Sequence, residues 1–270
     1  MTKNFTEANR LAWNEVTPIH QKARSINLTE CFAKRGYTCL DEIVTNRLFA
    51  MQLDGKDFAQ LNCNNGRELL SIINLGANSG VGFDISDEAI NEANELRDIA
   101  DLNAKFVRAN VYDISEDYHG KFDCVFISIG SLYWMPDLEA YFKVVSDLLK
   151  PYGELLIYES HPITDMYANQ DEALYDSSQP YKVISSYFRK EPWIENSGID
   201  YIGHSTYNSI TNYGFTHTLS EILNSLVINY LILAEFIEYP HDISESCVHL
   251  EREGLIPLCY TLMAVKMIPE

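Results

Sequence analysis

Positive charge is scarce in this chain. Its 270 residues carry 20 Lys and Arg against 39 Asp and Glu, a formal net charge of −19. A field of that sign repels phosphate backbones and acidic lipid surfaces, so neither nucleic acid nor membrane is expected as a partner. A neutral or cationic small molecule is the better match, although an acidic surface also serves solubility alone. Long apolar runs are missing as well. The longest, Leu223 to Ile237, is interrupted by Asn224, Asn229 and Glu235 and is too short to cross a bilayer. No apolar stretch in Met1–Glu7 reads as a secretory signal. The six cysteines form no C-x-x-C pair and no zinc or disulfide spacing. They read as reduced thiols, no metal site is expected, and the protein is expected in the cytoplasm. There is no internal repeat and no low-complexity tract, which removes solenoids and disordered linkers.

What is present is an alternation of strand and helix. Strands are expected near 58–62, 80–84, 104–109, 122–128 and 154–159, and helices near 66–75, 87–101 and 137–149. Strands alternating with helices of this length imply a parallel, doubly wound α/β sheet. Two further strands are expected near Leu231–Tyr239 and Leu258–Lys266, and Lys150-Pro151-Tyr152-Gly153 reads as the turn that ends a helix and opens a strand. Residues 1–57 look helical, with one helix opening at Thr6 and another over Thr38–Gln52, and form an amino-terminal cover to a core at 58–270. From about 160 to 217 periodicity is lost and aromatic residues crowd in, which suggests an inserted cap. Thr218-Leu219-Ser220-Glu221 is a capping box that starts the next helix.

The segment Phe58–Glu159 orders these elements as a nucleotide-type cofactor requires. A strand, a turn and a helix bring backbone N–H groups to the ligand, and Asp84 at the end of the next strand can accept from two ribose hydroxyls. A nicotinamide-dependent dehydrogenase would share that order, but the Gly-x-Gly-x-x-Gly fingerprint is absent. In its place stands Gln60-Leu61-Asn62-Cys63-Asn64-Asn65-Gly66, with a single glycine.

Four further segments follow in order: Gly82–Ile90, Gly130–Trp134, Leu148–Leu155 and Glu159–Pro162. Together with the glycine-poor turn they resemble the class I S-adenosylmethionine-dependent methyltransferases, in particular a bacterial group that acts on small molecules. The resemblance covers roughly Phe58 to Lys266 and implies a Rossmann-like, seven-stranded sheet whose last strand is antiparallel. It implies S-adenosylmethionine as cofactor and a small-molecule methyl acceptor, methylated at oxygen or nitrogen.

By the same resemblance Asn62, Asn64 and Gly66 form the cofactor turn, and Asp84 with Ile85 holds the ribose. Asn110, Val111 and Tyr112 border the adenine, while Ile129 and Gly130 approach the methionine part. The usual first motif has an acidic residue and three glycines; here asparagines, which tolerate left-handed backbone, stand in two of the glycine positions. If they fail to keep the turn, the fold is degenerate and the protein is a non-catalytic binder of S-adenosyl ligands or an interaction module. Asp84 has the alternative of capping the next helix, a job open to Ser86 or Asp87 as well. Arg67 is either a carboxylate clamp or a solvated side chain.

Methyl transfer needs placement, water exclusion and removal of one proton. His161, Glu159 and His217 are the candidate bases, with backbone bonding by His161 as the alternative. Tyr133, Trp134, Tyr187 and His20 are candidates to line the acceptor site, and core packing is the alternative for most of the cap tyrosines.

Overall fold

The computed structural model describes residues 2–170, 172 and 174–268. Helices α1 (Thr2–Ala23), α2 (Leu28–Phe32) and α3 (Glu42–Ala50) precede the first strand. The helix expected from Thr6 begins earlier, at Thr2. The one expected over Thr38–Gln52 is shorter because Asp41 caps it, its carboxylate accepting from Val44 N at 3.0 Å.

Strands β1 (Asp57–Leu61), β2 (Ser79–Asp84), β3 (Ala104–Arg108), β4 (Phe122–Ile127) and β5 (Leu149–Ser160) are joined by α4 (Arg67–Asn74), α5 (Asp87–Ala100) and α6 (Leu138–Leu148). A short hairpin, β6 (Trp193–Glu195) with β7 (Asn212–Gly214), lies within the cap region. Then come α7 (Leu219–Ile228), β8 (Leu231–Tyr239), α8 (Val248–Glu251) and β9 (Cys259–Lys266). The sheet order is β3-β2-β1-β4-β5-β9-β8, with β9 antiparallel to both neighbours and β1 to β5 pairing in parallel. The expected doubly wound, seven-stranded sheet with an antiparallel last strand is what forms.

Alternate side chains of each central strand feed a different core, as a strand covered on both faces requires. Val125 and Ile127 of β4 pack with Tyr141, Val145 and Leu226 on one face. Cys124 and Phe126 pack with Val44, Leu48 and Leu70 on the other. The capping box before α7 forms with both of its bonds, Glu221 N to Thr218 Oγ1 at 3.2 Å and Thr218 N to Glu221 Oε2 at 2.9 Å.

The expected turn at Lys150–Gly153 takes another form. It is a bulge inside β5, where the register with β4 jumps from Phe122–Leu149 to Cys124–Glu154. Tyr152 takes the left-handed conformation, φ 62°. A Cβ on Gly153 would lie 2.9 Å from Lys150 O and 3.1 Å from Asp123 O, so the close backbone approach needs glycine.

Candidate cofactor and acceptor site

The turn after β1 settles how a glycine-poor loop folds. Asn62, Asn64 and Gly66 have φ of 52°, 47° and 72°, so left-handed residues alternate along it. Each asparagine uses its amide. Asn62 Oδ1 accepts from Tyr141 Oη at 3.0 Å, and Asn64 Oδ1 accepts from Asn65 N at 2.7 Å. Gly66 has no such latitude, because a Cβ there would lie 2.3 Å from the Phe106 ring and 3.1 Å from Ala93 Cβ. Asparagine therefore replaces glycine where there is room, and glycine persists where there is none.

Asp84 locks this turn to the end of β2. Its Oδ2 accepts from Asn64 N at 2.8 Å and its Oδ1 from Ser86 N at 2.9 Å. Burial pushes its pKa up, and these amide N–H groups pull against that. Helix α5 is capped by Ser86, whose Oγ accepts from Ala89 N at 3.1 Å, so the capping alternative for Asp84 falls away. The carboxylate is half-buried and keeps lone pairs for further donors.

Helix α4 starts at Gly66 without a side-chain cap, which leaves its first N–H groups for a ligand. Arg67 lies in its first turn, and its guanidinium makes no hydrogen bond or salt bridge among the described residues; burial opposes its charge and the neighbouring Glu68 carboxylate supports it. At the other end of the turn a cavity of about 200 Å³ is bordered by Ile85, Asn110, Arg10, Arg108 and Asp113. Asn110 Oδ1 accepts from Tyr112 N at 3.3 Å, while Val111 is buried in the core and Tyr112 Oη is bonded to the Asp137 backbone. Over this end lies α1, where Asn14 accepts from Ser86 Oγ at 2.8 Å and both Asn14 and Arg10 donate to Asp87.

Residues 60–155, which contain this turn and β2 to β4, match the family model described as a methyltransferase domain. Over that stretch the chain is similar to a methyltransferase domain. The architecture is that of a putative S-adenosylmethionine-dependent methyltransferase from Listeria monocytogenes, at 18% identity and a TM-score of 0.63, covering 83% of this chain and 96% of that one. It is also similar to geranyl diphosphate C-methyltransferase from Streptomyces coelicolor A3(2), at 12% identity and a TM-score of 0.55, covering 83% and 79%. The [4+2]-cyclase SpnF shares the fold at 14% identity and a TM-score of 0.58, covering 95% of this chain and 94% of that one. A comparison with curated proteins finds no match.

Strand β4 is followed by Ser128, Ile129 and Gly130, the last with φ 80°. Ile129 is exposed at the mouth. The loop that follows is held by Glu159, whose buried carboxylate accepts from Gly130 N, from Leu132 N at 3.1 Å and from Ser160 N at 2.8 Å. Burial raises its pKa to about 7 despite those bonds.

The three histidines are all tied to backbone. His161 Nδ1 accepts from Ile163 N at 3.1 Å, and its Nε2 faces Glu238 Oε1 at 3.0 Å. His217 Nε2 is 2.8 Å from Met135 O, and His20 Nε2 is 3.2 Å from Ile199 O. Burial lowers the pKa of each, which favours neutral imidazole.

Of the aromatic candidates, Trp134 meets Trp13 of α1 at 5.4 Å between ring centroids. Tyr133 packs against Gly214 of β7, where a Cβ would lie 1.9 Å from its ring. Tyr187 spends its hydroxyl on Leu219 N, at 2.9 Å. His20 stacks edge-on against Tyr201 of the cap at 4.5 Å.

Sequence reasoning missed the larger space. A cavity of about 640 Å³ opens beside Arg67, Glu68, Ser128 and Ile129, and runs to α3, Tyr158 and the segment His241–Val248. Behind its wall Gln60, fully buried, donates from Nε2 to Glu68 Oε2 at 2.7 Å and to Ser128 Oγ at 3.2 Å. No local pattern signals this cavity, because its walls come from segments as far apart in sequence as Cys39 and Val248. The acidic residue expected at position 60 was the one available hint.

Proposed function

We propose that the protein transfers the methyl group of S-adenosylmethionine to an oxygen or nitrogen of a small molecule. The observation that carries this reading is the Asn62–Asn64–Gly66 turn with its alternating left-handed residues, latched to Asp84. A collapsed turn would have favoured a protein that has lost the cofactor; the open form supports binding.

The residues present fit the cofactor. Asp84 accepts from the ribose diol, a carboxylate being able to take both bonds. Ile85, Asn110 and the smaller cavity receive the adenine, with Val111 and Tyr112 supporting that wall from behind. The uncapped start of α4 and the unpaired Arg67 suit the carboxylate of the methionine part, which Ile129 and Gly130 flank.

When bound, the sulfonium supplies an already activated methyl group for in-line displacement, so the protein's task is placement and exclusion of water. Glu159, His161 and His217 act in this reading as positioning residues. Glu159 fixes the loop beside the methyl, His161 fixes the chain leaving β5, and His217 ties the cap to Met135. Trp13 and His20 close the site from α1 and Trp134 from the loop after β4, and Tyr133 anchors the β6–β7 hairpin over it.

Calorimetric titration with S-adenosylmethionine and S-adenosylhomocysteine tests the reading. Micromolar binding by the native protein, weakened roughly tenfold to a hundredfold in Asp84→Ala, is expected from loss of a charge-assisted bond of about 1.5–3 kcal/mol. No binding by the native protein would overturn it.

A further inference from the structure

We infer that the 640 Å³ cavity between α3, α4 and the His241–Val248 segment is the acceptor pocket, and that the acceptor is a small molecule bearing a cationic nitrogen. This rests on the methyltransferase reading above and narrows it to N-methylation of an amine.

Position is the first argument. Arg67, Ser128 and Ile129 line the cavity, and in the reading above the methionine part of the cofactor ends beside them, so a molecule inside would meet the methyl group without a further opening. Its volume exceeds what that methionine part needs. Small-molecule sites commonly enclose about 300–1,000 Å³, so there is room for a second, compact reactant.

Charge is the second. Four carboxylates line the cavity, Asp41, Glu68, Asp242 and Glu245, against one guanidinium, Arg67, and His241 at the rim. Arg67 is matched to the cofactor carboxylate, which leaves the acceptor end acidic. The partners of these acids are neutral. Asp41 accepts from Val44 N and Tyr158 Oη, and Asp242 from Ser244 N and Cys247 N, so neutral donors hold both in place. Glu68 accepts from the Gln60 amide and lies beside the Arg67 charge, and Glu245 has no hydrogen bond or ion pair among the described residues. Behind that wall Gln60 Oε1 is buried with no hydrogen-bond partner, an acceptor next to Glu68 and Ser128 and no donor supplied by the protein. An ammonium in the cavity supplies donors to the carboxylates that line it, whereas a phenolate, carboxylate or phosphate meets like charge.

The aromatic rings of Phe126 and Tyr158 line the same cavity and suit the apolar body of such an amine. The bound ammonium first gives one proton to water at the exposed His241 and Glu245 rim. The nitrogen lone pair then forms the N–C bond as the S–C bond breaks, its electron pair going to sulfur. S-adenosylhomocysteine, the methylated amine and one proton are the products.

Benzylamine, phenethylamine and tyramine, set against benzyl alcohol, phenylacetate and benzyl phosphate, test this in two ways. One is S-adenosylhomocysteine release from S-adenosylmethionine; the other is calorimetric binding of each compound to the protein saturated with S-adenosylhomocysteine. Binding and turnover confined to amines are expected. Glu245→Gln, at an exposed position outside the cofactor site, should raise the amine dissociation constant and KM roughly three- to tenfold with cofactor affinity unchanged. Methylation of an alcohol or acid in preference to the amines overturns the inference while leaving the methyltransferase reading intact. So does a complex that binds none of the amines, or a Glu245→Gln variant that binds them unchanged. Absence of cofactor binding is the separate result that removes both.

Discussion

Gly66 and Phe106 leave no room between them: a Cβ added to Gly66 would lie 2.3 Å from the Phe106 ring. Gly66 also has φ 72°, so the left-handed conformation and the close packing act together. Gly66→Ala is expected to cost about 2–5 kcal/mol, from the left-handed strain and the overpacking together, and to abolish cofactor binding. Asn64→Gly should stay within about 1 kcal/mol of the native protein, since glycine takes the same backbone at the loss of one local hydrogen bond. Urea denaturation of both variants checks this, and Phe106→Leu should restore part of the loss in Gly66→Ala but do nothing for Asn64→Gly.

Asp84 has two jobs that different substitutions separate. Asp84→Asn keeps a carbonyl oxygen for one of the two amide N–H donors, so the turn should survive while cofactor affinity falls about tenfold. Asp84→Ala leaves Asn64 N and Ser86 N both without their partner and should lower stability as well, by about 1–3 kcal/mol. Thermal melts read alongside calorimetry distinguish the two effects.

Glu159 gives the protein a pH signature. Its folded pKa is raised from 4.5 to about 7 by burial, so between those values the folded state binds more protons than the unfolded one. Stability from this group therefore falls as pH rises through that window and levels off above about 7, by up to roughly 3 kcal/mol. Glu159→Gln should remove that slope. Urea midpoints of the two proteins from pH 5 to 8 provide the comparison, and parallel curves would count against the raised pKa.

His20 ties α1 to the cap through Ile199 O at 3.2 Å, with Asp200 Oδ1 at 3.5 Å. His20→Ala should free this segment, raising hydrogen exchange over residues 199–205 by about tenfold with little change in β1 to β5. Protection unchanged in that segment would mean that other contacts hold the cap.

Much of this fold is legible in the sequence because its signals are local. Thr218 and Glu221 are three residues apart and their capping box forms, and the strand ending in Asp84 is flanked by its own turn and helix cap. The β5 bulge reads as a turn in the sequence because Pro151 and Gly153 punctuate the chain in either case, and only pairing with β4 distinguishes the two. Glu159 illustrates the limit at the site. A carboxylate at a strand end suggests a base, yet the amides of Gly130 and Leu132, far away in sequence, take its oxygens. The large cavity was invisible for the same reason, since Glu68 and Asp242 are brought together only by the assembled sheet.

The bond from Tyr141 to Asn62 gives the asparagine turn a property that a glycine turn lacks. Glycine loses more backbone freedom than any other residue when a ligand fixes it. Here part of that freedom is already gone before anything binds, because a side chain on α6 holds the loop in its left-handed shape. A cofactor docking there would meet a rigid receptacle, so a smaller share of its contact energy would go into ordering the loop and more would remain as affinity.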